Sequence, residues 1–280
     1  MRLFNFSKMH GLENDFVIFN NLKNEIFLTK KIINKLSNRN IGIGFDQLIL
    51  VENSYEDNVD FFYKIFNADG NEIFQCINGA RCFGRFVFLK NIVDKKNICI
   101  RTKNKKMFLE NIDKDFISIK LPKPDFDPIN IPFLKEYSKH GYNVRFESKN
   151  IKFFIVFLGN PHCVIFLNNV FNIKINKIGY FLENHFLFPK GVNVNFVEIV
   201  SNNEINVRTY ERGVGETRSC GSGVSASAVV GINNGFINNE VFVNVLGGKM
   251  HVYWGGKDSC IILKGDVKHV FDGVINLQNF

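Results

Sequence analysis

The feature that most constrains the fold of this 280-residue chain is an internal repeat at an offset of 144 residues, the separation of Cys76 and Cys220. Residues 61–80 align without gaps on residues 205–224, and both segments carry the pattern Glu-x-x-x-Cys-x-x-Gly. Shorter matches continue upstream and downstream of these segments. A repeat that runs along the whole chain predicts two copies of one fold.

A proline-rich junction separates the two copies. Residues 121–132 contain four of the six prolines, and proline favours extended chain there, as in a linker or a crossover. The sequence therefore predicts a first half over residues 1–121 and a second half over residues 122–265. The C-terminal segment 266–280 is expected to complete the first half.

The local patterns predict the same elements in each half. Most segments alternate or are rich in β-branched and aromatic residues, which is typical of strands. One central helix is predicted to start near Cys76 and another near Cys220, a surface helix over residues 28–37, and a hairpin whose turn uses positive φ at Gly247 and Gly248. We expect an α+β protein of two pseudo-symmetric domains, each a curved, mostly antiparallel sheet or barrel around a central helix.

Composition argues against several classes of protein. The chain is 45% hydrophobic and has no run of eighteen apolar residues, and its N-terminal stretch does not resemble a signal peptide. The six cysteines include no CxxC pair, which disfavours a zinc knuckle or a disulfide framework. The net charge of +8 comes from scattered lysines rather than one basic patch. We expect a cytoplasmic protein without a nucleic-acid or membrane partner.

The two repeated cysteines point to a specific chemistry. A helix N-terminus favours a thiolate, so the pKa of each thiol is expected to fall toward neutrality, and the same N–H groups bind carboxylates. Cys76 and Cys220, facing each other across a cleft between the copies, would hold an α-amino acid carboxylate with its Cα between the sulfurs. One thiolate would remove the α-proton while the opposite thiol protonates the other face. This inversion by two bases needs no metal or organic cofactor.

The competing interpretation is that these cysteines are buried core residues, as free cysteines often are. It does not explain why both copies keep the same pattern in loops rich in glycine, asparagine and charge. For the other four cysteines the core interpretation is favoured; these are Cys82, Cys99, Cys163 and Cys260.

Seven motifs resemble the diaminopimelate epimerase family. They are "KMHGLENDF", "GFDQ", "FNADGNE", "QCINGARC", "GNPH", "GVNVNFV" and "YERGVGETRSCGSG", in family order and spanning the chain from Lys8 to beyond Gly223. The resemblance implies a pyridoxal-independent enzyme that interconverts LL- and meso-2,6-diaminopimelate. That step serves lysine and peptidoglycan synthesis.

The resemblance also implies which residues form the site. Cys76 and Cys220 would be the acid and the base, and His162 and Glu211 are candidates for tuning or orienting the thiols. Arg212 can bind a carboxylate with two parallel hydrogen bonds, which suits the distal end of the substrate. The implied side-chain contacts to substrate are Asn14, Gln47, Asn67, Asn160, Asn193, Glu211 and Arg212. The backbone amides of Ile77, Asn78, Gly221 and Ser222 would hold the reacting carboxylate.

Two positions depart from the family pattern, which usually has glycine at both. They are Glu13, beside Asn14, and Ile77, directly after the first cysteine. A β-branched residue does not comfortably take positive φ. If Ile77 opens the helix with negative φ, its N–H is kept and only the volume of the pocket changes.

Three alternatives stay open from the sequence. A related two-cysteine racemase of the proline or hydroxyproline type would lack a distal carboxylate for Arg212 to bind. A thiol redox protein would use Cys76 and Cys220 as a disulfide pair. A non-catalytic binding protein would not need both cysteines, Glu211 and Arg212. The expected partner is small-molecule diaminopimelate, and a homodimer is an open expectation.

Overall fold

A computed structural model describes residues 3–113 and 115–280. The chain separates into two compact units. The first comprises the described residues up to Ile119 together with Lys264–Phe280, and the second is Lys120–Leu263. Within the described ranges, no helix has both the length and the apolar character needed to cross a membrane.

The first part of the chain is built mainly from strands, with one surface helix and one enclosed helix. In order these elements are β1 Leu3–Gly11, β2 Asn14–Asn20, α1 Lys30–Ser37, β3 Gln47–Asn53, β4 Phe61–Asn67, β5 Glu72–Ile73, α2 Ile77–Leu89, β6 Asn97–Arg101, β7 Lys106–Asn111 and β8 Phe116–Leu121. The predicted surface helix is confirmed as α1. Its N-cap is Thr29, whose hydroxyl accepts from the N–H of Ile32 at 3.2 Å.

The rest of the chain contains a similar series of elements. Its elements are β9 Tyr142–Phe146, β10 Lys149–Phe157, β11 Pro161–Phe166, α3 Ile175–Glu183, β12 Asn193–Ser201, β13 Glu204–Glu211, β14 Gly215–Thr217, α4 Gly221–Asn233, β15 Glu240–Val245 and β16 Gly248–Trp254. The C-terminal elements are β17 Ile261–Asp266, β18 Lys268–Asn276 and a 3₁₀ turn at Leu277–Asn279. Strand β18 pairs antiparallel with β1.

The strand pairing is the same in the two units, which confirms the duplicated α+β fold. In the first unit β1–β2, β3–β4, β4–β5 and β6–β7 are antiparallel, whereas β2–β3 and β4–β6 are parallel. In the second unit β10–β11, β12–β13, β13–β14 and β15–β16 are antiparallel, whereas β11–β12 and β13–β15 are parallel. The strand pairings within each unit are thus mostly antiparallel, as predicted.

The central helices α2 and α4 confirm the two predicted starts, directly after Cys76 and Cys220. Helix α4 is buried without interruption from Gly221 to Gly231, because small residues let the surrounding strands approach closely. Its serines remain compatible with burial since their hydroxyls donate to helix carbonyls one turn back. Ser225 Oγ donates to Gly221 O at 2.9 Å, for example.

Two local predictions were wrong. The predicted hairpin forms between β15 and β16, but only Gly248 has positive φ (142°), so the turn does not use Gly247 in that way. Cys260 is exposed and lies just before β17, because the strand begins one residue later than its apolar pattern suggested. Cys82, Cys99 and Cys163 are buried, as expected.

Candidate active site

Both repeated cysteines are the N-cap residues of the enclosed helices. Cys76 has extended backbone (φ −138°, ψ 123°), and its Sγ accepts from the N–H of Gly79 at 3.5 Å. Cys220 is almost identical (φ −125°, ψ 108°), and its Sγ accepts from the N–H of Gly223 at 3.4 Å. In each unit one otherwise unsatisfied N–H of the first helical turn is therefore directed at a sulfur atom.

The glycine three residues after each cysteine is required by close packing. A Cβ at Gly79 would lie 2.5 Å from the hydroxyl oxygen of Tyr63. A Cβ at Gly223 would lie 2.4 Å from Oδ1 of Asn195. Because neither distance is tolerable for carbon and oxygen, the repeated Cys-x-x-Gly pattern places each helix start against the sheet behind it.

The amides predicted to hold a carboxylate lie at the first two positions of each helix. Ile77 and Asn78 open α2, and Gly221 and Ser222 open α4. Ile77 does not have positive φ, and it is buried. Its N–H therefore keeps the ordinary helical geometry, and the departure from glycine changes only the space beside Cys76.

The second departure has a backbone consequence. Glu13 (φ 65°) and the preceding Leu12 (φ 55°) are both left-handed, in the tight turn between β1 and β2. Most residues other than glycine and asparagine are strained in this region. The turn directly precedes Asn14, so the strain is adjacent to a predicted substrate contact.

In the first unit, amide side chains surround the thiol. Cys76 Sγ donates to Oδ1 of Asn14 at 3.5 Å. Gln47 and Asn67 are opposite each other in the β3–β4 register, and Gln47 Nε2 donates to Asn67 Oδ1 at 3.0 Å. Within the described residues Oε1 of Gln47 is buried and accepts no hydrogen bond. This acceptor has the chemistry that an ammonium donor would satisfy.

In the second unit, a carboxyl group occupies the corresponding position. Glu211 hydrogen-bonds with Cys220 and accepts from Thr217 Oγ1 at 2.6 Å. Burial raises the pKa of Glu211, although these hydrogen bonds oppose the shift. Burial, followed by the charge of Glu211, holds the pKa of Cys220 well above that of an ordinary thiol. The expected lowering by the helix terminus is therefore wrong for Cys220, because desolvation outweighs it.

His162 is fully buried, and Asn160 and Asn195 engage both of its ring nitrogens. Its Nε2 lies 3.0 Å from Oδ1 of Asn160, and its Nδ1 lies 3.2 Å from Nδ2 of Asn195. An amide nitrogen only donates, so Nδ1 is the acceptor and Nε2 carries the proton. Burial, followed by the charge of Arg212, lowers the pKa of His162 to about 3. This neutral ring orients Asn160, whose Nδ2 donates to Ser222 Oγ at 3.4 Å.

Asn193 and Arg212 form the remaining part of the second half-site. Asn193 Oδ1 accepts from the backbone N–H of Arg212 at 3.1 Å, and its Nδ2 donates to Pro161 O at 3.0 Å. The Arg212 side chain is exposed, and its Nη1 donates to Lys190 O at 2.7 Å. An exposed guanidinium with one nitrogen engaged in this way can still bind a carboxylate ligand by donating from its other N–H groups.

The part of the chain that is described contains neither a candidate metal-binding cluster nor a disulfide. Over residues 3–113 and 115–280, no group of three or more His, Cys, Asp and Glu residues is placed to hold a metal ion. All six cysteines belong to these ranges, and none forms a disulfide.

Several supporting residues were missed by the sequence analysis. Asn195 orients His162, and its Oδ1 accepts from Thr209 Oγ1 at 3.1 Å. Its signal was present, because Asn195 is two residues from Asn193 and so lies on the same face of β12. Asp46 accepts from Asn14, and it directly precedes Gln47 in the "GFDQ" motif.

Comparisons with known proteins show the family of this chain. The family model described as diaminopimelate epimerase matches residues 6–118 and 154–270. A diaminopimelate epimerase of Buchnera aphidicola subsp. Acyrthosiphon pisum (strain APS) is 46% identical over 271 residues, covering 97% of this chain and 95% of that protein. Its counterpart from Buchnera aphidicola subsp. Baizongia pistaciae is 45% identical, covering 97% of this chain and 96% of the relative.

Solved structures with much lower identity share the fold. A hydroxyproline epimerase from Agrobacterium vitis with bound trans-4-OH-L-proline has a TM-score of 0.70 at 12% identity, covering 98% of this chain and 92% of that one. A phenazine biosynthesis protein of the PhzF family from Bacillus anthracis has a TM-score of 0.68 at 14% identity, covering 99% and 100%. At this identity the similarity shows the architecture alone.

Proposed function

This chain belongs to the diaminopimelate epimerase family and epimerises LL-2,6-diaminopimelate to the meso isomer, and we propose that Cys76 and Cys220 are its two acid–base groups. The observation that carries the proposal is the duplicated cap: each thiol accepts an N–H from the first turn of an enclosed helix. The assignment of roles to the surrounding side chains is part of the same proposal.

Cys220 is the acid at the start of a turnover. Because burial and Glu211 hold its pKa well above the ordinary value, Cys220 keeps its proton near neutral pH. Cys76 must then act as the base and remove the α-proton as a thiolate. Cys220 delivers its proton to the opposite face of the same carbon, so the configuration inverts and the sulfurs exchange protonation states.

Glu211 has a separate task in the reverse direction, where Cys220 must lose its proton. The carboxyl group hydrogen-bonds with this thiol and has a raised pKa, so it is a suitable proton acceptor for it. Thr217 fixes the carboxyl group by donating to Oε1. Glu211 therefore acts through Cys220, whereas His162 acts by orienting Asn160.

The backbone amides at the helix starts bind the reacting carboxylate. They are contributed by Ile77 and Asn78 on α2 and by Gly221 and Ser222 on α4. Removing the α-proton increases negative charge on the carboxylate, and helix N-termini stabilise such charge most strongly in the transition state. This electrostatic stabilisation takes the place of an electron-withdrawing cofactor in the proposed mechanism.

The remaining predicted contacts recognise the rest of the substrate. The exposed guanidinium of Arg212 suits the distal carboxylate, and the buried acceptor on Gln47 suits an ammonium group. The amides that complete the proposed substrate site are Asn14, Asn67, Asn160 and Asn193. A proline-type racemase acts on a substrate without a second carboxylate, so the Arg212 position favours diaminopimelate over this alternative.

We also propose the setting in which the enzyme works. The two compact units are the two copies of the duplicated half, the first completed by the C-terminal segment. The enzyme acts in the cytoplasm on a free small molecule, without a metal, cofactor, nucleic-acid or membrane partner, and as a homodimer. Sedimentation equilibrium of the purified protein at micromolar concentration tests the last point, and a monomer mass would contradict it.

Solvent exchange tests the proposed pair directly. The reduced protein is incubated with LL-diaminopimelate in deuterated water, and the α-proton signal is followed by NMR. We expect the meso isomer to form and its yield to fall by roughly 10³-fold or more in Cys76→Ala and in Cys220→Ala, since each removes a positioned acid–base group. Cys260→Ala is the matched control and should behave as wild type because this cysteine is exposed and outside the site. Full activity in either site variant would contradict the pairing.

A further inference from the structure

The repeated amides beside the two sulfurs are held in opposite orientations. In the second unit the oxygen of Asn160 accepts from His162, so its NH₂ is directed at Ser222 Oγ (3.4 Å), which lies 3.5 Å from Cys220 Sγ. In the first unit the NH₂ of Asn14 is the anchored end. Its oxygen is therefore the end that faces the thiol.

The anchor in the first unit is a carboxylate. Asn14 Nδ2 donates to Asp46 Oδ2 at 3.0 Å, and Asn14 Oδ1 accepts from Cys76 Sγ at 3.5 Å. An ionised carboxylate only accepts hydrogen bonds, so it forces the amide nitrogen toward itself. This fixes which end of Asn14 meets the sulfur, a choice that an uncharged partner would leave open.

The anchor is itself held by an ion-pair network, the Asp15–Arg39–Asp46 cluster. Arg39 binds Asp15 through two hydrogen bonds of 2.8 Å and donates to Asp46 Oδ1 at 3.1 Å. The backbone N–H groups of Asp46 and Asp15 each donate to the other residue's carboxylate, at 2.8 and 3.1 Å. Lys8, which is buried, contacts Asp15 at 2.6 Å.

The Asp15–Arg39 ion pair keeps both of its charges across the working pH range. Burial would raise the pKa of Asp15, but hydrogen bonds from Arg39 and Lys8 outweigh it and hold the pKa far below the usual value. Arg39 is charged at any relevant pH, and the Asp15 carboxylate raises its pKa further. Asp15 and Arg39 therefore do not titrate where a thiol does.

The equivalent positions in the second unit explain why the anchor differs. Phe16 on β2 pairs with Gln47 on β3, and in the second unit His162 on β11 pairs with Asn193 on β12. His162 is therefore the equivalent of Phe16, and Asn193 is the equivalent of Gln47. Phe16 cannot hold an amide oxygen, and Val192, at the position of Asp46, cannot hold an amide nitrogen. The second unit thus anchors the oxygen of its amide, Asn160, whereas the first unit anchors the nitrogen of its amide, Asn14.

We propose that Asp46, fixed by Arg39 and Asp15, is a positioning residue that holds Asn14 with its carbonyl oxygen toward the Cys76 thiol. This inference rests on the proposed role of Cys76 in proton transfer. Asp46 does not touch the reacting atoms and acts through Asn14. Its function is to present Cys76 with a hydrogen-bond acceptor, which binds the thiol that forms as the Cys76 thiolate takes the α-proton.

Asp46→Asn is the direct test. It keeps the shape of the side chain but replaces a carboxylate, which only accepts hydrogen bonds, with an amide, which can also donate them. A neutral amide at this position lets Asn14 reverse and donate an N–H to the sulfur, which favours the thiolate. The readout is the pH–rate profile of Cys76 alkylation by iodoacetamide, with each cysteine peptide quantified separately by mass spectrometry. Tyr63 on β4 and Arg81 and Cys82 on α2 also interact with Cys76 electrostatically, and the substitution leaves them unchanged.

We expect the Cys76 profile of Asp46→Asn to shift to lower pH, with alkylation at pH 7 about fivefold faster. Cys220 is the internal control and should keep its wild-type profile. Loss of one charge-assisted hydrogen bond should also lower kcat/KM roughly tenfold. Asp46→Glu keeps the charge and the acceptor and should retain the wild-type Cys76 profile.

Two results would overturn the inference. One is an unchanged Cys76 profile in folded Asp46→Asn, and the other is the same shift in Asp46→Glu, which would indicate a general structural effect. If Asp46→Asn does not fold, Arg39→Gln gives the test instead, with a smaller shift expected in the same direction and none contradicting the proposal. Failure of the proposed function is distinguishable, because it would show as wild-type protein that does not epimerise, whatever the alkylation profiles.

Discussion

The two halves of this enzyme share a backbone plan but differ in the side chains behind the catalytic helix. In the first unit the residues behind Gly79 include Phe16, Ile65 and Tyr63. In the second unit Asn195 and Thr209 crowd Gly223, and His162 takes the position of Phe16. A mainly apolar wall with one hydroxyl, that of Tyr63, in the first half corresponds to a polar, hydrogen-bonded wall in the second.

This difference teaches how a duplicated fold can give two thiols different work. The caps are nearly identical, so backbone geometry cannot distinguish Cys76 from Cys220. The side chains do: Glu211 and burial keep Cys220 protonated, whereas the amide at the equivalent position near Cys76, Asn67, carries no charge. The asymmetry needed for a defined acid and a defined base thus comes from substitutions on a symmetric scaffold.

The largest effect expected from breaking this asymmetry follows Glu211→Gln. The glutamine keeps the size of the side chain but cannot take the proton of Cys220, so epimerisation should slow by roughly 10²-fold. Steady-state rates measured from both isomers check this. Glu204→Gln, at the other end of β13, is the matched control and should stay within about threefold of wild type. A wild-type rate for Glu211→Gln would show that this carboxyl group handles no proton.

The close packing at the two helix starts can be tested by substituting alanine for the glycines. Gly223→Ala places a Cβ where Asn195 Oδ1 lies 2.4 Å away, and Gly79→Ala does the same against Tyr63 at 2.5 Å. Overpacking of this kind should lower the free energy of unfolding by up to roughly 3 kcal/mol, measured by urea denaturation. Gly84→Ala in α2 is the control, since its Cβ would meet only ordinary contacts at 3.6 Å or more. Equal stability of all three variants would contradict the packing explanation.

Because His162 is buried and neutral, we expect a pH dependence of stability that arises in the second unit. The first unit has Phe16 at the equivalent position. Its folded pKa of about 3 lies below the unfolded value near 6.5, so the stability it contributes is present above pH 6.5 and is lost as the pH falls toward 3. Between pH 6.5 and 5 this loss should be about 2 kcal/mol. His162→Phe, which copies Phe16 of the first half, should have a correspondingly shallower slope. Urea denaturation across this range checks it, and identical slopes would show that His162 is not held neutral.

The smallest effect concerns the turn before Asn14. Glu13→Gly removes a side chain from left-handed backbone and should raise the free energy of unfolding by about 0.5–1 kcal/mol. Glu147→Gly is a close control, because Glu147 has the same backbone conformation (φ 53°) in a turn of the second unit. Thermal denaturation compares the two variants. A loss of stability in both variants would contradict the strain explanation for these turns.

The repeat and the paired caps were readable from the sequence because they depend on local patterns. Alternating strands, the Cys-x-x-Gly spacing and the Thr29 cap each follow from neighbours along the chain. These patterns located both helix starts and the duplicated α+β fold. The effect of Ile77 needed the structure, because its sequence allowed either sign of φ.

The electrostatic details could not be read from the sequence. The helix terminus predicted a lowered pKa for Cys220, but burial beside Glu211 reverses the direction. The neutral state of His162 depends on Asn195, which reaches it through strand pairing rather than through sequence proximity. Such effects arise from burial and from partners far away along the chain, and no local spacing encodes them.

The most direct test of two catalytic thiols is the distribution of deuterium early in the reaction. Reduced enzyme converts a few per cent of LL-diaminopimelate in deuterated water, and the α-positions of product and remaining substrate are analysed by NMR and mass spectrometry. With separate groups on the two faces of the carbon, the meso product should carry solvent deuterium at the inverted centre while the remaining LL isomer keeps its protium. Product that retains protium, or LL substrate labelled as fast as product forms, would indicate a single base and would contradict the assignment of Cys76 and Cys220.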